Sequence, residues 1–102
     1  MKIGILEEEF FIYKTLQQPA INDDIFCIIR ELDGFSIIAF ANKDKNMPIF
    51  KAFYLDELND LSESGILYQV LKPLKEHYIG VLVISAFNRD YIFIDKHHFD
   101  TA

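Results

Sequence analysis

The order of apolar runs in the second half of the chain most limits what it can fold into. "IFKAFYL" (49–55) is rich in aromatic and aliphatic residues and reads as a strand. A helix is expected from about Leu61 to His77, because Leu67, Val70, Leu71, Leu74 and Tyr78 recur at helical spacing. Asp60 is placed to cap its start, with Glu63 three residues on as the reciprocal capping-box partner. Pro73 removes one backbone hydrogen bond and is expected to kink it. "YIGVLVISAF" (78–87) is apolar on both faces, which predicts a central strand. "NRD" (88–90) reads as a tight turn, "YIFID" (91–95) as another strand, and "KHHFDTA" has room for one helical turn. Strand, helix, strand, strand is most of a ferredoxin-like βαββαβ unit, lacking its second helix and last strand.

The first half is read as strands alone. "FFIYKTL" (10–16) is aromatic and β-branched, and "QQPAINDD" (17–24) is a polar breaker with a proline. "IFCIIREL" (25–32) and "FSIIAFAN" (35–42) flank Asp33-Gly34. Asp-Gly between apolar runs signals a hairpin, since a type I′ turn needs positive φ at both central positions. "KDKNMP" (43–48) is a second loop. Strand, short connection, strand, strand is then a degenerate copy of the second half. Two halves sharing one sheet give about six strands in one α+β domain, with residues 1–44 as a β-rich half and 45–102 as a βαββ half.

Bulk properties exclude several function classes. The chain has 102 residues, and Asp plus Glu outnumber Lys plus Arg by 16 to 10, a formal net charge of −6. Lysine and arginine never cluster, so a nucleic-acid partner is not expected. The acids gather at Glu7–Glu8–Glu9 and at Asp56, Glu57, Asp60 and Glu63. Solvated loops and caps are the ordinary reading; a cation-attracting rim or an acidic interaction face is the alternative. Cys27 is the single cysteine and lies in "IFCII", so it reads as a small core residue. No apolar stretch reaches the roughly 18–20 residues that span a membrane, and no signal peptide is recognised. A soluble cytoplasmic protein is expected. His77 is isolated and His97–His98 are neighbours that point in different directions. No metal site, cofactor or catalytic constellation is expected, and the chain is not read as an enzyme.

One stretch, "DLSESGIL" (60–67), sets a glycine just inside the expected helix. Glycine there costs roughly 0.5–1 kcal/mol relative to alanine. Either the chain turns sharply or something approaches the backbone closely.

The segments "SESGILYQVLKPL" and "VLVISAFNRDYIFID" resemble those of ACT-domain proteins related to the CASTOR arginine sensors, small bacterial members among them. Ser62, Gly65, Ile66, Leu67, Pro73 and Leu74 match the first motif. Ile84, Ser85, Phe87, Asp90, Tyr91 and Ile92 match the second, with Ala86 in place of a threonine. "ILEEEFFIYKTL", a short loop and a hairpin extend the likeness over nearly the whole chain. The chain is shorter than those relatives and lacks most of their C-terminal helix. The resemblance implies a ferredoxin-like ACT domain with a degenerate N-terminal β-rich half and one main helix. It also implies a regulatory module, commonly a homodimer of side-by-side sheets, that binds an amino acid or related metabolite.

The implied ligand-binding set is Ser62, Glu63, Ser64, Gly65, Ile66, Ser85, Ala86, Phe87 and Asp90. Free amides at a helix start favour a carboxylate, and a side chain at Gly65 would block its approach. Ser62 and Ser64 add hydroxyl donors. Glu63 and Asp90 align with ligand-contacting acids of the arginine sensors and suit an amino or guanidinium group. Phe87 and the backbone around Ser85 and Ala86 are expected to line the wall. Asp60 stands where the arginine sensors have glycine, so arginine itself is not the expected ligand. Each residue also has a structural reading: Glu63 as a capping partner, Asp90 as a turn former, Gly65 as a close-packing position. The competing function is an interaction domain that keeps the fold without a pocket, suggested by the short tail, the acidic residues and the surplus of aromatic strand residues.

Overall fold

The computed structural model describes residues 2–42, 46–56, 71–76 and 80–99. Among these residues seven strands form one sheet: β1 (Lys2–Ile5), β2 (Phe10–Thr15), β3 (Ile25–Glu31), β4 (Gly34–Phe40), β5 (Phe50–Asp56), β6 (Val81–Ser85) and β7 (Arg89–Asp95). Residues 71–76 are helical, here α1, and Lys96–Phe99 form a one-turn helix, α2. The remainder of the helix expected over 61–77 lies outside the described residues.

The strand order is β3-β4-β2-β5-β7-β6, with β1 also paired to β5. β7 runs antiparallel to both β5 and β6, so β5 and β6 are parallel with β7 between them. This is the split βαβ arrangement expected of a ferredoxin-like half. On its other edge β5 pairs with β1 from Phe53 to Asp56 and with β2 at Phe50. The two halves of the chain thus share one sheet, which holds more strand than the expected six.

Three local expectations differ from the structure. The strand β1 was not anticipated, because "KIGI" is short and carries a glycine, which weakens the strand signal. Gly4 is there because it lies under the Tyr54 ring, and a Cβ would run into that ring. The β3–β4 hairpin closes one residue earlier than expected: Glu31 pairs with Gly34, leaving Leu32 and Asp33 as the loop. Gly34 has φ 145°, and a Cβ on it would lie 2.7 Å from the Thr15 carbonyl oxygen. The glycine is therefore required at the first residue of β4 rather than inside the turn. Finally, β6 stands at the sheet edge and not at its centre. Leu82 and Ile84 pack on one cluster and Val83 on another. Apolarity on both faces reports two covered faces, which an edge strand can also have.

Those clusters lie on opposite faces of the sheet. On the outer face, Leu55, Ile92 and Ile94 meet Leu74 of α1, with Leu71, Phe53, Val83 and Phe99 packed around them. Leu71 and Leu74 are three residues apart and so share one side of the helix. Leu74 is 4% exposed, and its burial contributes about 1.5–3 kcal/mol. On the inner face, Phe10, Ile38, Ala52 and Phe93 form the core, joined by Phe26, Cys27, Phe40 and Tyr91. A bulge between Ile25 and Cys27 lets both Phe26 and Cys27 face inward. Phe26 lies 6.0 Å from Phe93, centroid to centroid. β3 is one edge of the sheet and β7 lies next to the other, so the sheet curls until strands from its two sides share a core.

Candidate ligand site

Strand alternation decides which way Asp90 points. Asp90, Ile92 and Ile94 are two residues apart along β7 and lie on one face. Ile92 and Ile94 pack against Leu74, so Asp90 faces the helix-bearing side. It is 8% exposed, the buried charged residue among those described. Its neighbours in register are Leu55 on β5 and Ser85 on β6. Directly opposed residues set their side chains on the same face with Cβ atoms about 5 Å apart. The Ser85 hydroxyl and the Asp90 carboxylate therefore stand side by side at one end of the sheet.

Asp90 was also open to a reading as a turn former. The structure places it within β7, and the turn consists of Phe87 and Asn88, closed by the Ala86 N–H donating to the Arg89 carbonyl at 3.0 Å. Ser85 and Ala86 are exposed at the end of β6. Phe87 is 99% exposed at the tip of the turn. It forms no wall among the described residues. Ser62, Glu63, Ser64, Gly65 and Ile66 lie outside the described residues, so the structure brings together Ser85, Ala86 and Asp90 of the expected set.

The inner face at the same end gathers residues that the sequence did not point to as a site. Tyr54 and Tyr91 are paired across β5 and β7, and with Leu6, Asp56 and Arg89 they line a hollow of about 250 Å3. The Arg89 Nε donates to Asp56 Oδ1 at 3.4 Å. The Tyr91 side chain first, and the Asp56 carboxylate second, hold the Arg89 guanidinium pKa above its ordinary value. The sequence carries no signal for this pair: Asp56 ends β5, Arg89 begins β7, and only the β5–β7 register sets them opposite each other. Among the described residues, no three His, Cys, Asp or Glu side chains gather as a metal cluster. None of the described helices is long and apolar enough to cross a membrane.

A family model for the ACT domain matches residues 50–102, which runs from the first residue of β5 through the split βαβ unit to the chain end. The chain belongs to the ACT-domain family. Two solved structures are similar to this ACT-domain chain over both of its halves. One is a Vibrio cholerae protein of unknown function described as a possible transport protein, with TM-score 0.77 and 19% identity over 97% of this chain and 81% of its own. The other is a protein from Agobacterium tumefaciens, with TM-score 0.77 and 22% identity over the same shares, 97% and 81%. At such identities the likeness speaks for the fold alone. No curated protein matches the sequence.

Proposed function

We propose that this ACT domain is a non-catalytic regulatory module that binds an amino acid or a chemically related metabolite at the Asp90 end of the sheet, as a homodimer in the cytoplasm. Ser62, Glu63, Ser64, Gly65, Ile66, Ser85, Ala86 and Asp90 supply the contacts. The observation that supports it most is the buried Asp90 carboxylate beside Ser85 on the helix-bearing face. A buried carboxylate is costly unless something pairs with it. An amino group brought by a guest is such a partner, and the charge-assisted hydrogen bond is among the stronger classes. The family match and the resemblance to the arginine-sensor relatives support the choice of ligand class.

Thermal-shift screening against amino acids and nucleosides tests the proposal. A ligand present at a hundred times its dissociation constant stabilises the folded chain by about 2.7 kcal/mol. Asp90→Ala should abolish the shift while the chain stays folded. A shift that survives Asp90→Ala places the ligand away from Asp90 and overturns this site, and no shift with any compound argues for the interaction-domain alternative.

A further inference from the structure

The opposite end of the same two strands carries a second cavity with different chemistry. β5 and β7 pair Leu55 with Asp90 at one end and Phe50 with Asp95 at the other. Five residue steps separate the ends, roughly 17 Å along the strands. At the Phe50 end an open cavity of about 940 Å3 has Met47, Pro48, Ile49, Lys51 and Phe99 in its lining, together with Glu9, Asp95 and Lys96.

Its walls are tied in place by bonds of their own. The Lys96 N–H donates to the Ile49 carbonyl at 2.8 Å, which anchors α2 to the segment before β5. The His97 N–H donates to Asp95 Oδ1 at 2.8 Å, so that carboxylate serves the α2 backbone. Lys96 Nζ pairs with Glu9 Oε2 at 2.8 Å. Both carboxylates thus have close partners. Lys51 differs. Its ammonium makes one long hydrogen bond among the described residues, 3.3 Å to the Glu7 carbonyl, and lies 5.9 Å from the centre of the Phe99 ring. An ammonium has three donors, so Lys51 has capacity for an anion. Glu9, the nearby acid, is shared between the fields of two lysines, and the Lys96 hydrogen bond, with lesser help from Lys51, holds its carboxyl pKa below the usual value. Met47, Pro48, Ile49 and Phe99 supply the apolar part of the lining, while Asn46 and His97 add polar groups.

We propose that this cavity binds a small organic carboxylate with an apolar tail, its carboxylate on Lys51 and its tail against Met47, Pro48, Ile49 and Phe99. The site is separate from the Asp90 end and does not depend on ligand binding there. The charge selects the anion, and the apolar wall selects against a bare inorganic ion.

Amide NMR of the isotope-labelled full chain tests this, with hexanoate as the probe and hexanol and hexylamine as controls. Hexanoate should produce saturable shifts at Met47, Ile49, Lys51 and Lys96 to Phe99. Hexanol should bind about tenfold more weakly, since it lacks the charge-assisted bond. Lys51→Gln should weaken hexanoate by about tenfold, Lys51→Arg should retain most of its binding, and Asp90→Ala should leave it unchanged. If Lys51→Gln loses its dispersed spectrum, the comparison of hexanoate with hexanol on the unsubstituted chain decides. Equal binding of hexanol and hexanoate overturns the proposal, as does the lack of any saturable shift. Shifts confined to Ser85 and Asp90 overturn it too, while leaving the regulatory reading intact.

Discussion

Phe26 of β3 and Tyr91 of β7 meet edge to face, with ring centroids 5.4 Å apart and planes at 81°. Three strands lie between β3 and β7 in the sheet. In a flat sheet four strand spacings would hold those residues roughly 19 Å apart, so the contact measures the curl. Phe26→Ala should cost about 3 kcal/mol, at the lower end for a phenylalanine because Phe26 is half-buried. Urea unfolding followed by circular dichroism reads the loss. A cost under about 1 kcal/mol would mean that the curl is held by other contacts.

Among the described residues of α1, Leu74 is the buried one, at 4% exposure against Leu55, Ile92 and Ile94. Leu74→Ala should lower stability by about 2–5 kcal/mol, the transfer loss plus the cavity left behind. Leu71→Ala, at a half-buried position beside it, should cost less. Equal losses in urea denaturation would place the helix differently on the sheet.

Gly34 is constrained twice, by its φ of 145° and by the Thr15 carbonyl oxygen, 2.7 Å from where a Cβ would sit. Gly34→Ala should destabilise by about 1–3 kcal/mol. The same substitution at Gly80, whose surroundings are open for 4 Å, should stay within about 0.5 kcal/mol. Thermal denaturation of the two variants side by side makes the comparison.

Burial pushes the Cys27 thiol pKa up. The raised value favours the neutral thiol in the folded chain. Its contribution to stability is therefore present below the unfolded-state pKa and is lost as pH rises through the folded one. Since the thiolate is the nucleophile, iodoacetamide should modify Cys27 more slowly in buffer than in urea at the same alkaline pH. Mass spectrometry of quenched samples gives the rates; equal rates would contradict a protected thiol.

Much of the fold was legible because its signals are local. Alternating apolar runs located β2 through β7 to within a few residues, and the order of the second half pointed to a split βαβ unit. What was hidden depends on contacts distant in sequence. β1 holds its place by pairing with β5, and its glycine is explained only by the Tyr54 ring above it. The bulge that turns both Phe26 and Cys27 inward has no marker in "IFCII". The edge position of β6 could not be read from "VLVIS", since a strand covered on both faces has the same composition at an edge as at a centre. At the candidate site, "NRD" suggested a turn through Asp90, whereas the turn is Phe87–Asn88 and Asp90 is in the ladder. The Arg89–Asp56 pair and the Lys51 cavity were missed because each joins residues brought together by register and not by spacing.

The most direct test of the regulatory reading is amide-shift mapping of the unsubstituted chain with pools of the common amino acids, followed by the single compound that acts. The account predicts saturable shifts at Ser85, Ala86 and Asp90, together with residues 62–66, and their loss in Asp90→Asn, which preserves size and removes the charge. The lack of saturable shifts at Ser85, Ala86 and Asp90 with any amino acid, or shifts at Ser85 that persist unchanged in Asp90→Asn, would contradict it.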